Sequence, residues 1–282
     1  MSTEQTGELE QAESEAIPTR SDTRGWWWRR WYQENASGHH HCVYGSKIQP
    51  PKAMSLSIGN CRDVGAFFRL TNSYLLVCDE QESDGFCRRA QGDVSDIPVV
   101  KTSLAGCRVI GRMCVGNKKG LLVPEATTDL ELEHLQRELP YSVEVKTLED
   151  RLSALGNVIV CNDHVALIHP DLDKESEEIV ADTLQVEVFR HTVANNSLVG
   201  SYCVINNSGG LVHVDASKTE LEDLSSLLEL QLIIGTVNHG SKVVASGLVA
   251  NDYFAYAGRN TTCEEYVAIE KALQFPVHMC YF

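Results

Sequence analysis

Residues 111–124 read GRMCVGNKKGLLVP. Two short apolar segments flank a turn on Asn117, Lys118, Lys119 and Gly120, which alone is a β-hairpin signal. The same phrase occurs four more times. Residues 65–77 read GAFFRLTNSYLLV, 156–170 GNVIVCNDHVALIHP, 200–214 GSYCVINNSGGLVHV and 245–258 ASGLVANDYFAYAG. Aligned on the turn asparagine, the column is Asn72, Asn117, Asn162, Asn207 and Asn251, with steps of 45, 45, 45 and 44 residues. A fixed period of this length marks a repeat architecture.

Each hairpin is followed by a helix signal. Thr128 and Glu131 have capping-box spacing ahead of Leu132, Leu135 and Leu139. Ser217 and Glu220 precede Leu221, Leu224 and Leu228 in the same way, and Thr262 and Glu265 precede Tyr266, Ile269 and Leu273. Unit three is looser (Ile179, Val180, Leu184), and in unit one Phe86, Ala90 and Val94 support a short helix at most. A β-branched third strand closes each unit, at 97–101, 143–147, 186–189, 232–236 and 277–282. No such unit can bury its apolar face alone. The expectation is therefore an α/β (α+β) fold of five strand–strand–helix–strand repeats around a pseudo-fivefold axis, strands inward and helices outside. The repeats run about 54–101, 102–147, 148–189, 190–236 and 237–282. Residues 1–53, with Trp26-Trp27-Trp28-Arg29-Arg30-Trp31 and His39-His40-His41 but no periodicity, read as a disordered extension.

The chain has 282 residues, 43% hydrophobic and 22% charged, and a net charge of -15. Its first 53 residues are nearly balanced, seven acidic against six basic, so the acidity belongs to the repeats. An acidic surface gains nothing from counterion release on DNA or RNA, and a basic protein partner suits it better. Ten scattered cysteines, several inside apolar strand segments, read as reduced thiols rather than a disulfide framework. No apolar run approaches a membrane span, and no secretory signal opens the chain.

The motifs that could carry chemistry are weak. Residues 111–118 (G-x4-G-N-K) fall short of a phosphate loop: the lysine is one place late and no Ser or Thr follows. Cys161, His164 and His169 have metal-like spacing without a second matched pair, so no metal is expected. The N-x-[ST] matches at Asn195, Asn206 and Asn260 have no glycan meaning without a secretory route.

Ten strings carry a family resemblance: IPVVKTSLAGCRVIGRMCVGN, GLLVP, RLSALGNV, CNDHVALIHPDLD, VEVFRHTVA, LVGSYCV, GGLVH, EDLSSLL, GTVNHGS and VANDYFAYAG. Together they resemble the eukaryotic translation initiation factor 6 family, collinearly over about residues 60–273. The resemblance implies the pentein fold, no cofactor and no catalytic step. It implies binding to the 60S ribosomal subunit on its intersubunit face, which prevents premature joining to the 40S subunit, and a part in 60S biogenesis. A cytoplasmic, nuclear and nucleolar location and a monomeric state go with it. The family's tail beyond the last repeat has no counterpart in this sequence, and residues 1–53 have none in the family; with the divergence of units one and five, this points to a paralogue. Because penteins also include guanidino-modifying enzymes, Cys263 or Cys280 with His278 or His213 would be the nucleophile and base of an alternative, enzymatic reading. The flanking motifs such a site needs are missing, and structural cysteine is the preferred reading.

In a ring of repeats, equivalent loops share a face, and that face is the usual binding surface. The expected ribosome-binding residues are Arg108, Arg112, Asn157, Asn195, Asn238, His239, Ser241 and Val243, facing a basic ribosomal protein near the sarcin–ricin loop. Ser225 and Ser226 align with the family's regulatory phosphoserine pair.

Overall fold

The computed structural model describes residues 53–56, 61–79 and 97–275. Among these the strands form five three-stranded sheets. Unit one holds β2 (Phe68–Leu70), β3 (Leu75–Cys78) and β4 (Val99–Thr102); unit two holds β5 (Val115–Gly116), β6 (Gly120–Pro124) and β7 (Glu144–Leu148). Unit three has β8 (Ile159–Cys161), β9 (Val165–Ile168) and β10 (Glu187–Arg190); unit four has β11 (Cys203–Ile205), β12 (Gly209–His213) and β13 (Gln231–Gly235). In each, the inner strand is antiparallel to the middle one and the middle strand parallel to the outer. A parallel pair needs a crossover, and in units two, three and four a long helix makes it between middle and outer strands.

The fifth sheet corrects the expectation. Its inner and middle strands are β14 (Leu248–Ala250) and β15 (Ala255–Gly258), but the parallel partner of β15 is β1, Ala53–Leu56, from the other end of the ring. The strand read at 277–282 lies outside the described residues, as do the short helix near Phe86 and the Trp/Arg and His clusters of the extension. Ala53 belongs to this fold and not to the extension. It is buried against Ala257, Ile269 and Ala272 in the core of unit five. The ring is thus closed by a strand from each end of the fold.

A one-turn helix leads into every inner strand: α1 (Val64–Phe67), α2 (Ile110–Met113), α4 (Leu155–Val158), α6 (Val199–Tyr202) and α8 (Val244–Gly247). The repeated glycines sit there. A Cβ on Gly111, Gly156 or Gly200 would collide with the carbonyl of the equivalent glycine one unit back, at Gly65, Gly111 and Gly156 respectively. They are points of close approach around the axis.

The turn column also shifts. Asn117 Oδ1 accepts from the backbone N–H of Lys119 and Gly120, while its Nδ2 donates to the Asn162 carbonyl of the next unit at 3.1 Å. Asn162 repeats this toward Asn206, Asn206 toward Asn251, and Asn251 toward Thr71. The structural column is therefore Thr71, Asn117, Asn162, Asn206 and Asn251, and Asn72 and Asn207 stand one place further on. Thr71 can accept from Ser73 and Tyr74 but has no amide to pass forward. The fully buried Tyr74 replaces that link, donating its hydroxyl to the Gly120 carbonyl at 3.0 Å.

The long helices are α3 (Asp129–Glu138), α5 (Lys174–Leu184), α7 (Lys218–Leu228) and α9 (Cys263–Leu273). Capping boxes form at Thr128/Glu131, Ser217/Glu220 and Thr262/Glu265, as their spacing predicts; Asp173 makes no side-chain cap in unit three. Each N3 glutamate has a second task. Glu131 also accepts from the Ser103 hydroxyl and the N–H groups of Ala105 and Gly106, both left-handed with φ 53 and 67. Glu265 does the same for Thr236, His239 and Gly240, and Glu220 for Ala194. Successive N–H groups in this conformation form a concave anion seat. Burial raises the Glu131 carboxyl, but the bonds from Ser103, Thr128 and Gly106 outweigh it and hold the group down to about 2.

Replacing Asn162 by Ala strands the N–H groups of His164 and Val165 and cuts one inter-unit bond. We expect a loss of about 2–4 kcal/mol in chemical denaturation; a loss under ~0.5 kcal/mol, within the range of an ordinary surface substitution, would remove this ring from its structural place. For Glu131 the folded value lies below the unfolded one, so its contribution is complete above about 4.5 and is lost as pH falls toward about 2. Stability measured across that window should fall less steeply in Glu131→Gln than in the parent chain.

Candidate docking face

The two ends of the axis differ. At the turn end, Asn72, Asp163, Asn207 and Asp252 form a closed square. The amides of Asn72 and Asn207 each donate to both carboxylates, at 2.6 to 2.8 Å. Asp163 also takes the Lys118 backbone N–H, with the Lys118 ammonium 3.4 Å away. Burial raises the Asp163 carboxyl, and bonds from Asn207, Lys118 and Asn72 bring it below the usual range. The cup these residues line encloses about 30 Å³, room for little more than water.

At the opposite end lie the one-turn helices, the glutamate-pinned loops and the N-termini of the long helices. The residue entering each one-turn helix is Asp63, Val109, Ala154, Leu198 or Val243, with φ from -79 to -88 and no side-chain cap at any of them. Four of the five are apolar at a position where Ser, Thr, Asp or Asn stabilises by about 1 kcal/mol. Leu198 is 40% exposed and Val243 36%. These entry residues form a partly apolar crown around the mouth of the axis.

The residues singled out in the sequence divide into two sets. Arg108, Asn195, His239 and Val243 are exposed on this face, and Ser241 closes its loop through reciprocal backbone bonds with Val237. The left-handed Asn195 and His239 (φ 60 and 64) are tips of the pinned loops. Arg112, Asn157 and Asn238 have inward tasks. Arg112 reaches across the axis, donating from Nε to the Gly65 carbonyl at 3.2 Å and from Nη1 to the Gly200 carbonyl at 3.1 Å. Burial, with the like charge of Arg69 adding to it, lowers its guanidinium to about 9, still cationic at neutral pH. Asn157 accepts from the Ser201 hydroxyl one unit on. Asn238 is only 3% exposed and donates to the Arg62 carbonyl. Leu198 is the face residue the repeat reading missed; its signal was an apolar side chain at the same offset from the inner strand as Val243. On α7, Ser226 is exposed and Ser225 half-buried.

The thiols inside the strands are poor nucleophiles. Burial pushes the thiols of Cys114 and Cys161 up to about 11 and Cys203 to about 12, whereas a nucleophilic cysteine needs its value lowered. His213 is buried, accepts the Asp215 N–H at Nδ1 and packs edge-on against Tyr202. Cys280 and His278 lie outside the described residues. Lys118, the lysine of the near phosphate loop, has its N–H committed to Asp163. His164 is exposed at the turn end while His169 is buried with Nδ1 on the Asp171 N–H, so the metal-like spacing does not converge; among the described residues no three His, Cys, Asp or Glu side chains gather as a metal site.

Among known proteins, the Drosophila melanogaster eukaryotic translation initiation factor 6 is 52% identical over 223 residues, covering 79% of this chain and 91% of that protein. The Saccharomyces cerevisiae factor of the same name is 53% identical over 212 residues, 75% of this chain and 86% of that one. Among solved structures, the N-terminal domain of ArgZ, an arginine dihydrolase from cyanobacteria, aligns with a TM-score of 0.40 at 11% identity over 62% of this chain and 67% of that one. The C. jejuni agmatine deiminase gives 0.31 at 10% over 45% and 49%. At such identities nothing about activity passes from these enzymes. The model of the eIF-6 family matches residues 53–272, from the closing strand β1 to the end of α9. The chain belongs to the eIF-6 family.

Proposed function

We propose that this chain binds the large (60S) ribosomal subunit through the face formed by the one-turn helices, and so blocks joining to the 40S subunit by occupying the intersubunit surface. The observation that carries this reading is the apolar crown. Leu198 and Val243 are exposed where a polar cap would serve the isolated fold better, and the loops beside them are held by buried glutamate contacts rather than left to solvent. A rigid face with an apolar centre and a polar rim is the anatomy of a protein-docking site. The acidic net charge of -15 favours a basic ribosomal protein, near the sarcin–ricin loop, over direct reading of ribosomal RNA. Action by occlusion needs no cofactor. A role in 60S biogenesis follows from holding the subunit before it is engaged in translation, and requires presence in nucleus and nucleolus as well as cytoplasm. Arg108, Asn195, His239 and Ser241 form the rim in this reading, and Arg112 and Asn157 shape the face from beneath.

The purified full chain should pellet with 60S subunits and not with 40S subunits or 80S particles. Val243→Asp or Leu198→Asp should weaken pelleting by ~10-fold or more while leaving the melting temperature unchanged. Unaltered pelleting in both variants would place the contact elsewhere, and no 60S pelleting by the parent chain would end the proposal. Against an enzymatic reading, native thiol labelling should find no unusually reactive cysteine, Cys263 and Cys280 included, and the chain should turn over no arginine-like substrate; a reactive cysteine with such turnover would reopen that reading.

A further inference from the structure

One loop of the docking face carries a buried amide where its counterparts carry alanine. In units two, four and five this loop is closed by paired backbone bonds, Leu104 with Cys107, Val193 with Asn196 and Val237 with Ser241. The residue after the first anchor is left-handed in each: Ala105, Ala194 and Asn238, with φ 53, 50 and 51. Alanine serves the turn twice, so the turn itself does not call for an amide. The Asn238 side chain is buried, and its Oδ1 has no donor among the described residues. An unpaired buried acceptor is costly, so a residue kept only for its backbone shape would not carry one.

The gain is a bond across the seam of the ring. Nδ2 donates to the Arg62 carbonyl at 3.0 Å, which links unit five to the segment that opens unit one. Gly258 lies at the centre of this contact. It ends β15 and pairs with Leu56, the last residue of the closing strand β1. A Cβ there would collide with both the Arg62 carbonyl and the Asn238 amide. Its carbonyl accepts from the Thr261 N–H, and Thr261 Oγ1 accepts from the Asn238 N–H. The next two N–H groups, of His239 and Gly240, go to Glu265. One chain of contacts thus runs from β1 through Gly258 and Asn238 to the loop that carries His239, Ser241 and Val243. We propose that Asn238 is a positioning residue of the docking face: it fastens this loop to unit one, so that the face is in shape only while β1 is seated. The inference rests on the docking reading above and adds a condition to it, that ring closure and docking competence are one event.

Residue-resolved amide exchange of the full chain, with 60S pelleting beside it, tests the coupling. Asn238→Gly keeps the left-handed turn, which glycine adopts freely, and removes the amide. Exchange at His239, Gly240 and Ser241 should quicken ~10-fold, while the equivalent loops at 105–107 and 194–196 keep the parent rates. Pelleting with 60S subunits should weaken ~5-fold or more. Asn238→Asp, which sets an acceptor against the Arg62 carbonyl, should match it or exceed it. Leu56 packs in a core cluster that holds no residue of the loop, and Leu56→Ala should quicken the same three amides by loosening β1. A residue that serves only the turn predicts parent-like exchange and pelleting in Asn238→Gly, and that result overturns the proposal. Exchange at 239–241 that ignores Leu56→Ala overturns it as well. Failure of the parent chain to pellet with 60S subunits is a separate result: it ends the docking reading, while exchange still decides whether Asn238 ties the loop to the closing strand.

Discussion

An asparagine at the turn between inner and middle strands can satisfy two neighbouring units at once, and the rest of the ring is arranged around that capacity. Its carbonyl oxygen closes its own turn by accepting two N–H groups; its amide nitrogen reaches the backbone carbonyl of the next turn. No other side chain of that length offers both a double acceptor and a double donor. Each unit's local folding is thereby coupled to its neighbour's position. In units two and four the second amide hydrogen also serves the end of the next unit's long helix, at the Leu184 and Leu273 carbonyls. Both units have glycine three residues on, Gly120 and Gly209, which lets that helix approach. Turn, neighbour and helix terminus are tied by one side chain.

The opposite end is held by a different device. There the one-turn helices meet backbone to backbone, through glycines that leave no space for a methyl group, and Arg112 fastens Gly65 to Gly200 across the axis. The capping glutamates extend this order outward. Glu131, Glu220 and Glu265 each stabilise a helix start and, with the same carboxylate, hold the neighbouring loop in left-handed turns that cost an alanine such as Ala105 or Ala194 conformational energy. The docking face thus inherits its rigidity from the helix caps. This explains how a surface made mostly of loops can offer a preformed shape, which lowers the ordering cost of binding.

The period and the strand–strand–helix–strand unit could be read from the sequence because each is local: apolar alternation, turn residues and capping boxes leave marks within fifteen residues. What could not be read is whatever depends on closure. Residues 277–282, VHMCYF, read as a third strand, yet β15 pairs with Ala53–Leu56, and no local preference separates two apolar segments competing for one sheet edge. The asparagine column slipped by one in units one and four for a related reason. Thr71-Asn72 and Asn206-Asn207 each present two polar residues, and only the bond to the next unit decides which occupies the turn. Arg112 and Asn238 drew attention as polar residues in loops on the binding face. Their inward tasks depend on carbonyls from distant units, Gly200 and Arg62, which sequence neighbourhood cannot reveal.

The departures from fivefold symmetry are the most informative residues that remain. A ring of identical units would have Asn at 71, Val at 69 and an apolar residue at 63, but unit one has Thr71, Arg69 and Asp63. All three lie in the unit next to the closing strand. Thr71 removes a forward hydrogen bond, Tyr74 restores one with a far larger side chain, and Arg69 puts a charged side chain where the other four units have valine. Junction one–two therefore combines a bulky aromatic, a half-buried cation and a missing amide, whereas junctions two–three, three–four and four–five repeat a single design. Where a repeat protein departs from its own rule at neighbouring positions, a shared cause is simpler than independent drift. Here the shared element is the junction of units one and two: Tyr74 crosses it to the Gly120 carbonyl, and burial, with the like charge of Arg69 adding to it, lowers the proton affinity of Arg112 beneath the docking face.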